Sequence, residues 1–378
     1  MTDEILRSAL YGAHVAGGAT MGRECGWEVP MSYRDAQTEA AEVRRYAGVF
    51  DLSHLGRIRI RGDESLDLVE SLCTADVIHQ EDDTTRYTLL LNESGGVVAD
   101  AMVVRLEDFW LITTDTCNRL KVLAHAREIA EGLEVKVDDQ TPKTAMLGIC
   151  GAGAMEVMDA VLPQKLGDLP AGGVRMGSLM IARYIAMRTG YTGLWGLEVI
   201  LPKMFVGKAW RFITEKTGDK CLAPAGMAAR DVLRIEAGRP RYGHELDETI
   251  DPVTAGLAWA VDFGHEFIGR RALEEIRQAA PTRKRIGLGL TATADRQQPG
   301  AIPARGAAVS LSDGGEVGAI TSATFSPALD KIVAMAYVAT EAAEVGASLG
   351  VAAGGPGPGG GQVAAEIMEL PFVRTGPK

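Results

Sequence analysis

Long apolar runs are missing from this 378-residue sequence, and no stretch of 18 residues is apolar enough to cross a bilayer. The opening Met1-Thr-Asp-Glu4 is acidic where a secretory leader would be basic and then apolar. The expectation is a cytoplasmic protein that does not engage membranes. An excess of positive charge is also missing: 39 Lys and Arg stand against 50 Asp and Glu, a net charge of −11, which argues against general nucleic-acid binding. Cysteine is sparse. Cys25, Cys73, Cys117, Cys150 and Cys221 are odd in number and never form C-x-x-C, so they read as reduced, packed thiols and not as a disulfide framework or zinc site. Six dispersed histidines contain no H-E-x-x-H pair, so no metal is expected. Glycine is abundant, yet no P-loop is present and no G-x-G-x-x-G follows a strand to open a helix. With no nucleophile elbow either, metal and dinucleotide chemistry and a hydrolase-type serine find no candidates.

What is present is an ordinary globular composition, 46% hydrophobic and 24% charged, long enough for two or three domains. Apolar spacing predicts helices over residues 3–16, 35–47, 64–73, 118–131, 152–161, 204–217, 225–237 and 269–279. Residues 26–33 read as irregular around Pro30, and Arg57–Arg61 alternates as a half-buried strand. From Lys284 onward, short strands and turns predict an all-β terminal domain. The low-complexity segment 352–361 could not pack a core and reads as a flexible hairpin loop, because a strand pattern resumes at Gln362.

The stretch Thr85–Thr113 predicts three successive strands separated by turn chemistry at residues 92–96 and 107–108. Asp100 lies in the middle strand among valines and alanines, where a carboxylate is costly unless it is paired, hydrogen-bonded or chemically employed. Glu198 is a second acid in an apolar frame, after the glycine-broken loop that holds Tyr191. Arg230 and Arg234 lie one turn apart on a helix beside Asp231 and Glu236, a spacing that suits a structural ion-pair helix. Two readings stand for Tyr87, Asp100, Tyr191, Glu198 and Arg230. Each can be a satisfied core polar group, or together they can hold a planar heterocycle with a carboxylate tail.

Eight segments resemble, in order, the aminomethyltransferase family, the T-protein of the glycine cleavage system. They are Gly48–His54, Tyr87–Asp100, Arg188–Glu198, Ala223–Gly238, Tyr242–Ile250, Phe267–Arg270, Thr321–Pro327 and Leu370–Val373. The resemblance implies an α+β fold, a three-domain cloverleaf around a central tetrahydrofolate channel, with a C-terminal β-barrel. It implies a folate-binding core over 1–280, with a second subdomain over about 52–140 plus part of 230–280, and a barrel over 281–378. Asp100 then corresponds to the family's essential acid near the folate N10. Tyr87 and Tyr191 correspond to the pterin pocket, Glu198 to the acid bonding the pterin ring, and Arg230 to an arginine at the folate site. Arg374 falls at a contact on the folate tail, Asn118 near the substrate side, and Trp259 at a site tryptophan. The activity implied moves a methylene group from an aminomethyl-lipoyl carrier protein to tetrahydrofolate with release of ammonia.

Three departures from the family pattern, Ala99, Leu194-Trp195 and Asp115, fall where the resemblance implies the substrate side. They keep open an alternative, a tetrahydrofolate-dependent demethylase acting on a small O-, N- or S-methylated compound. A second alternative is a non-enzymatic folate-binding protein, whose K-G-C-Y-x-G-Q-E-like motif has no counterpart here.

Overall fold

Alternating apolar residues and β-branched runs assemble most of the chain into sheets, and helices cover their apolar faces. The computed structural model describes residues 5–162, 164–179, 181–216, 222–291, 301–352 and 361–374. Thr84–Leu91, Val97–Leu106, Phe109–Thr114, Gly56–Arg61 and Lys136–Asp139 form a five-stranded sheet in that spatial order. A six-stranded sheet runs Val174–Leu179, Ala182–Thr189, Gly196–Pro202, Thr144–Cys150, Gly48–Asp51 and Ala223–Pro224. The last six strands, from Arg283–Leu290 to Gln362–Met368, close into a barrel. The fold is α+β with a C-terminal barrel, as expected. Segment 352–361 lies almost wholly outside the described residues; the strands on either side of it, Ser348–Ala352 and Gln362–Met368, pair antiparallel.

The alternation of side chains explains the acid in the middle strand. Ala99, Ala101 and Val103 point into a core shared with Ile58, Leu68, Leu72, Ile112 and Val122, beneath helices Ser65–Leu72 and Arg119–Ile129. Asp100 and Met102 therefore point to the opposite face. That face is not covered by those helices, and Asp100, although mid-strand, is only half-buried. Leu89, which pairs with Asp100, packs instead with Leu246, Ile250, Leu257 and Phe267 from the segment after helix Met227–Glu236.

That helix joins the parts. Its apolar face packs with Val43, Phe50, Met146 and Ile200, and Ile235 meets Val333, Met335 and Phe372 of the C-terminal region. Arg234 is fully buried. It donates to Asp231 at 2.9 Å, to Glu245 at 2.7 Å and to Ser322 of the barrel at 2.7 Å. Glu245 also accepts from Thr321 Oγ1 at 2.7 Å, so the buried charge pair has its remaining lone pairs satisfied.

Three expectations are corrected. Residues 3–16 do not form one helix: Leu6–Arg7 is a short strand and only Tyr11–Ala16 is helical. Ser8 between them turns its hydroxyl to Asp51 at 2.5 Å, within a buried cluster where Asp51 also meets His14 at 2.9 Å and His14 meets Tyr33 at 2.7 Å. Residues 26–33 are not irregular: Trp27–Ser32 is a strand between Leu6–Arg7 and Thr20–Glu24. The cysteines are not all reduced thiols. Cys25 and Cys117 form a disulfide with Cα atoms 5.2 Å apart, although 92 residues separate them. A hairpin turn with both Cys25 and Gly26 at positive φ brings the first sulfur to the loop that follows Phe109–Thr114. Cys73 and Cys150 are free and buried, and Cys221 lies outside the described residues.

Candidate active site

A cavity of about 230 Å³ opens where the two large sheets approach helix Met227–Glu236. The five-stranded sheet lends it Tyr87, Asp100, Met102 and Thr113 to Asp115. The six-stranded sheet and its loop lend Thr189, Gly190, Tyr191 and Glu198. The helix lends Arg230, the chain after it Arg239 to Tyr242, and the next segment Leu257 and Trp259. Six sequence-predicted residues thus meet: Tyr87, Asp100, Tyr191, Glu198, Arg230 and Trp259. Asn118 and Arg374 do not line this cavity. Asn118 is fully buried at the start of helix Arg119–Ile129, with neither end of its amide hydrogen-bonded. Arg374 is exposed and pairs with Glu369 at 2.8 Å.

The polar groups have distinct environments. The Tyr87 hydroxyl reaches Asp100 Oδ2 at 3.3 Å, and its ring stacks on Trp259 at 5.4 Å between centroids and 25° between planes. Trp259 is 62% exposed, so the stack forms one side of the mouth. Burial pushes the Asp100 carboxyl up, the negative charge of Asp115 adds to the effect, and the group reaches about 7. Burial likewise raises Glu198, opposed by the Arg230 charge, and raises the Tyr191 phenol to about 12. The Arg230 guanidinium lies over the Tyr191 ring, 4.2 Å from its centroid. Among the described residues no group of three or more His, Cys, Asp or Glu could hold a metal ion.

Sequence pattern did not single out Asp115, Arg239, Arg241 or Tyr242 as cavity residues. Asp115 stood out as a departure from the family, and the strand register was the signal that would have placed it. The other three follow the helix in a stretch with no periodicity, where only the adjoining Tyr242–Ile250 resemblance drew notice.

This arrangement can bind a flat hydrogen-bonding ring between aromatic and acidic walls, with a titrating carboxylate at the reacting edge. Residues 10–265 match the GCVT N-terminal domain family, and residues 283–374 match the glycine cleavage T-protein C-terminal barrel domain family. An aminomethyltransferase of Symbiobacterium thermophilum is 34% identical over 387 aligned positions, covering 99% of each chain. Another, from Thermotoga neapolitana, is 33% identical, covering 97% of this chain and 98% of that one. The crystal structure of the glycine cleavage system aminomethyltransferase T from Bartonella henselae superimposes with a TM-score of 0.87 at 28% identity, covering 98% of both chains. The family models and relatives therefore define a group-transfer enzyme, here built on two large sheets and a barrel. The chain belongs to the aminomethyltransferase family, the glycine cleavage T-proteins. These relatives are aminomethyltransferases, not demethylases or folate carriers, so they favour the first of the three readings.

Proposed function

We propose that the cavity binds tetrahydrofolate and that the donor is an aminomethyl group carried on the lipoyl arm of a partner protein. The observation that supports this most is the meeting of Asp100, Glu198, Arg230 and the Tyr87–Trp259 stack on one cavity. These residues fit the pteridine ring of a folate: Glu198 offers a buried acceptor for ring N–H groups, and Tyr191 and Arg230 close one face. Arg239, exposed at the mouth, is better placed than Arg374 for the carboxylate tail. Tetrahydrofolate supplies two amine nitrogens to the moving carbon, while the carrier sulfur and the leaving nitrogen take up the two displaced protons, giving a dithiol and ammonia.

Asp100 is the residue poised at that exchange. Its carboxylate form can orient a folate amine and stabilise positive charge at the transferred carbon in a site of low dielectric. Tyr87 fixes the rotamer of Asp100 through its hydroxyl, and the Tyr87–Trp259 stack excludes water from one side.

The domain division proposed is a folate-binding core over 1–280, its second subdomain built around the five-stranded sheet, and a barrel over 281–378. The reaction consumes a reduced folate and yields a free dithiol, both maintained in a reducing compartment, and on that support we place the enzyme in the cytoplasm, where the Cys25–Cys117 bridge is an exception to the reduced state of most thiols.

The test is to mix the protein with tetrahydrofolate and aminomethyl-loaded lipoyl carrier and to measure ammonia and methylene-tetrahydrofolate. Both should appear in equal amounts, and Asp100→Asn should cut turnover by about 10²-fold or more. Formation of methyl-tetrahydrofolate from a methylated small molecule, with no ammonia from the carrier, would overturn the assignment.

A further inference from the structure

We propose that Asp115 is a donor-binding residue: it faces Asp100 across the cavity wall, and the two carboxylates together hold the positively charged amine of the incoming one-carbon donor. This rests on the aminomethyl-transfer reading above and names the part of the site that selects the donor.

The register makes the juxtaposition. The Val97–Leu106 and Phe109–Thr114 strands are antiparallel with Ala101 opposite Thr114, and continuing that register one residue past the strand end sets Asp115 beside Asp100 on the cavity wall. Directly opposed residues of an antiparallel pair point to the same face with Cβ atoms about 5 Å apart. Both line the cavity, and the Thr114 hydroxyl donates to the Asp100 carbonyl at 3.0 Å, which holds the two strands together at this point. Two like charges so placed repel, and the repulsion is relieved either by a proton on one of them, as the raised Asp100 carboxyl shows, or by a cation between them.

No cation among the described residues pairs with both: Arg230 lowers the Asp100 carboxyl only from longer range, and Arg241 reaches only Asp115. Among the described residues Asp100 has no guanidinium or ammonium within ion-pair distance, and the Tyr87 hydroxyl is its only side-chain donor. Asp115 accepts the Cys117 backbone N–H at 2.9 Å, which aims its carboxylate without neutralising it. Arg241 approaches Asp115 at 3.9 Å, but it contacts Glu24 directly and stands 3.9 Å from Asp231 as well, one guanidinium among three carboxylates. The other charged groups facing this end are Arg230, held over the Tyr191 ring, and the buried His54, whose Nε2 has no hydrogen-bond partner and whose imidazole burial holds neutral. A protonated amine placed between Asp100 and Asp115 would supply the missing charge and its N–H donors. An uncharged methyl donor would leave the carboxylates to repel each other.

The consequence reaches the ionisation of Asp100. The negative charge of Asp115 is the second contributor, after burial, that lifts the Asp100 carboxyl. Removing it should bring the ionisation of Asp100 down on the order of one pH unit.

The experiment compares wild type with Asp115→Asn, which keeps an acceptor for the Cys117 N–H, by two measurements. One is the pH dependence of tetrahydrofolate affinity, read from intrinsic tryptophan fluorescence. The other is the steady-state KM for aminomethyl-loaded carrier. The expected result is a downward shift of the affinity midpoint on the order of one pH unit, a KM for the carrier raised about tenfold or more, and folate affinity at pH 8 changed less than twofold. Equal thermal melting of the two proteins confirms that the variant folds. An unchanged midpoint with an unchanged KM would overturn the proposal. Should wild type bind folate but release no ammonia from the carrier, the functional reading falls, and an unshifted midpoint would still refute the coupling of Asp115 to Asp100 by itself.

Discussion

Asp100 is a mid-strand acid among valines that turns to the cavity and not to the core. Its carboxyl titrates near 7, raised from the ordinary value near 3.8 first by burial and then by Asp115. A raised acid binds its proton more tightly in the folded than in the unfolded chain, so between about pH 4 and pH 7 the native state loses stability as pH rises. The cost is complete above pH 7, where the proposed reaction uses the carboxylate. Asp100→Asn should therefore stabilise the protein at pH 8 by about 1–2 kcal/mol, well below the full value of the shift because the side chain is partly exposed and an amide oxygen accepts from Tyr87 more weakly than a carboxylate. The gain should vanish near pH 4. Thermal melting of both proteins at the two pH values decides the matter, and a variant less stable at pH 8 would show the carboxylate to be structural. Activity should show the opposite order, with an acidic limb near pH 7 in wild type. Asp100 itself was legible in the sequence, because Asp is disfavoured in strand interiors whatever the fold. The place of Asp115 beside it follows from the predicted turn at Glu107-Asp108, which sets Leu106 opposite Phe109, but neither composition nor side-chain pattern pointed to it.

Helix Met227–Glu236 carries two arginines one turn apart that the fold puts to different uses. Arg234 is fully buried among Asp231, Glu245 and Ser322, whereas Arg230 is half-buried and stacks over Tyr191 in the cavity. Removing one member of a buried, hydrogen-bonded pair strands the other charge, so Arg234→Ala should cost about 3–5 kcal/mol. Arg230→Ala should cost under about 1 kcal/mol of stability, the range of an exposed cation–π contact, yet weaken tetrahydrofolate. Urea denaturation and folate titration of the two variants separate the roles, and equal stability losses would contradict them. The spacing of the arginines and their neighbouring acids was readable before the fold was known. The division of labour was not, because Glu245 and Ser322 reach Arg234 from outside the helix. The same limit hid the Cys25–Cys117 bridge, whose partners meet only when the N-terminal hairpin lies against the loop after Phe109–Thr114. By contrast the all-β character of the terminal domain was legible from short strands punctuated by turns, whereas its closure, in which only half of the strand pairs are sequential neighbours, was implied by the family resemblance.

At the scale of the whole molecule, the cavity lies at a junction and not within one unit. Its wall combines the five-stranded sheet, the six-stranded sheet and helix Met227–Glu236, and that helix is tied to the barrel through Arg234 to Ser322 and through the buried Glu236 to Ser326. Each sheet has its own apolar core, and a further core joins Val104, Leu106 and Leu111 to Phe50, Met146 and Ile200, so the parts can open with different free energies only where that shared core yields first. A ligand seated across the junction binds only when all of its walls are in place, and it therefore stabilises them jointly by RT ln(1 + [L]/Kd), about 2.7 kcal/mol at a concentration of one hundred times Kd. Calorimetry of the free protein should resolve a broad or divided transition. Saturating tetrahydrofolate should raise its lower-melting part most and narrow the whole into one. Glu198→Gln, which keeps the shape of the pocket but loses the acceptor strength of the buried acid, should retain the free protein's profile and lose most of the ligand-induced narrowing. A folate-induced shift confined to one part of a divided transition would mean that the ligand rests on a single sheet, and the junction would then be scaffolding and not the site.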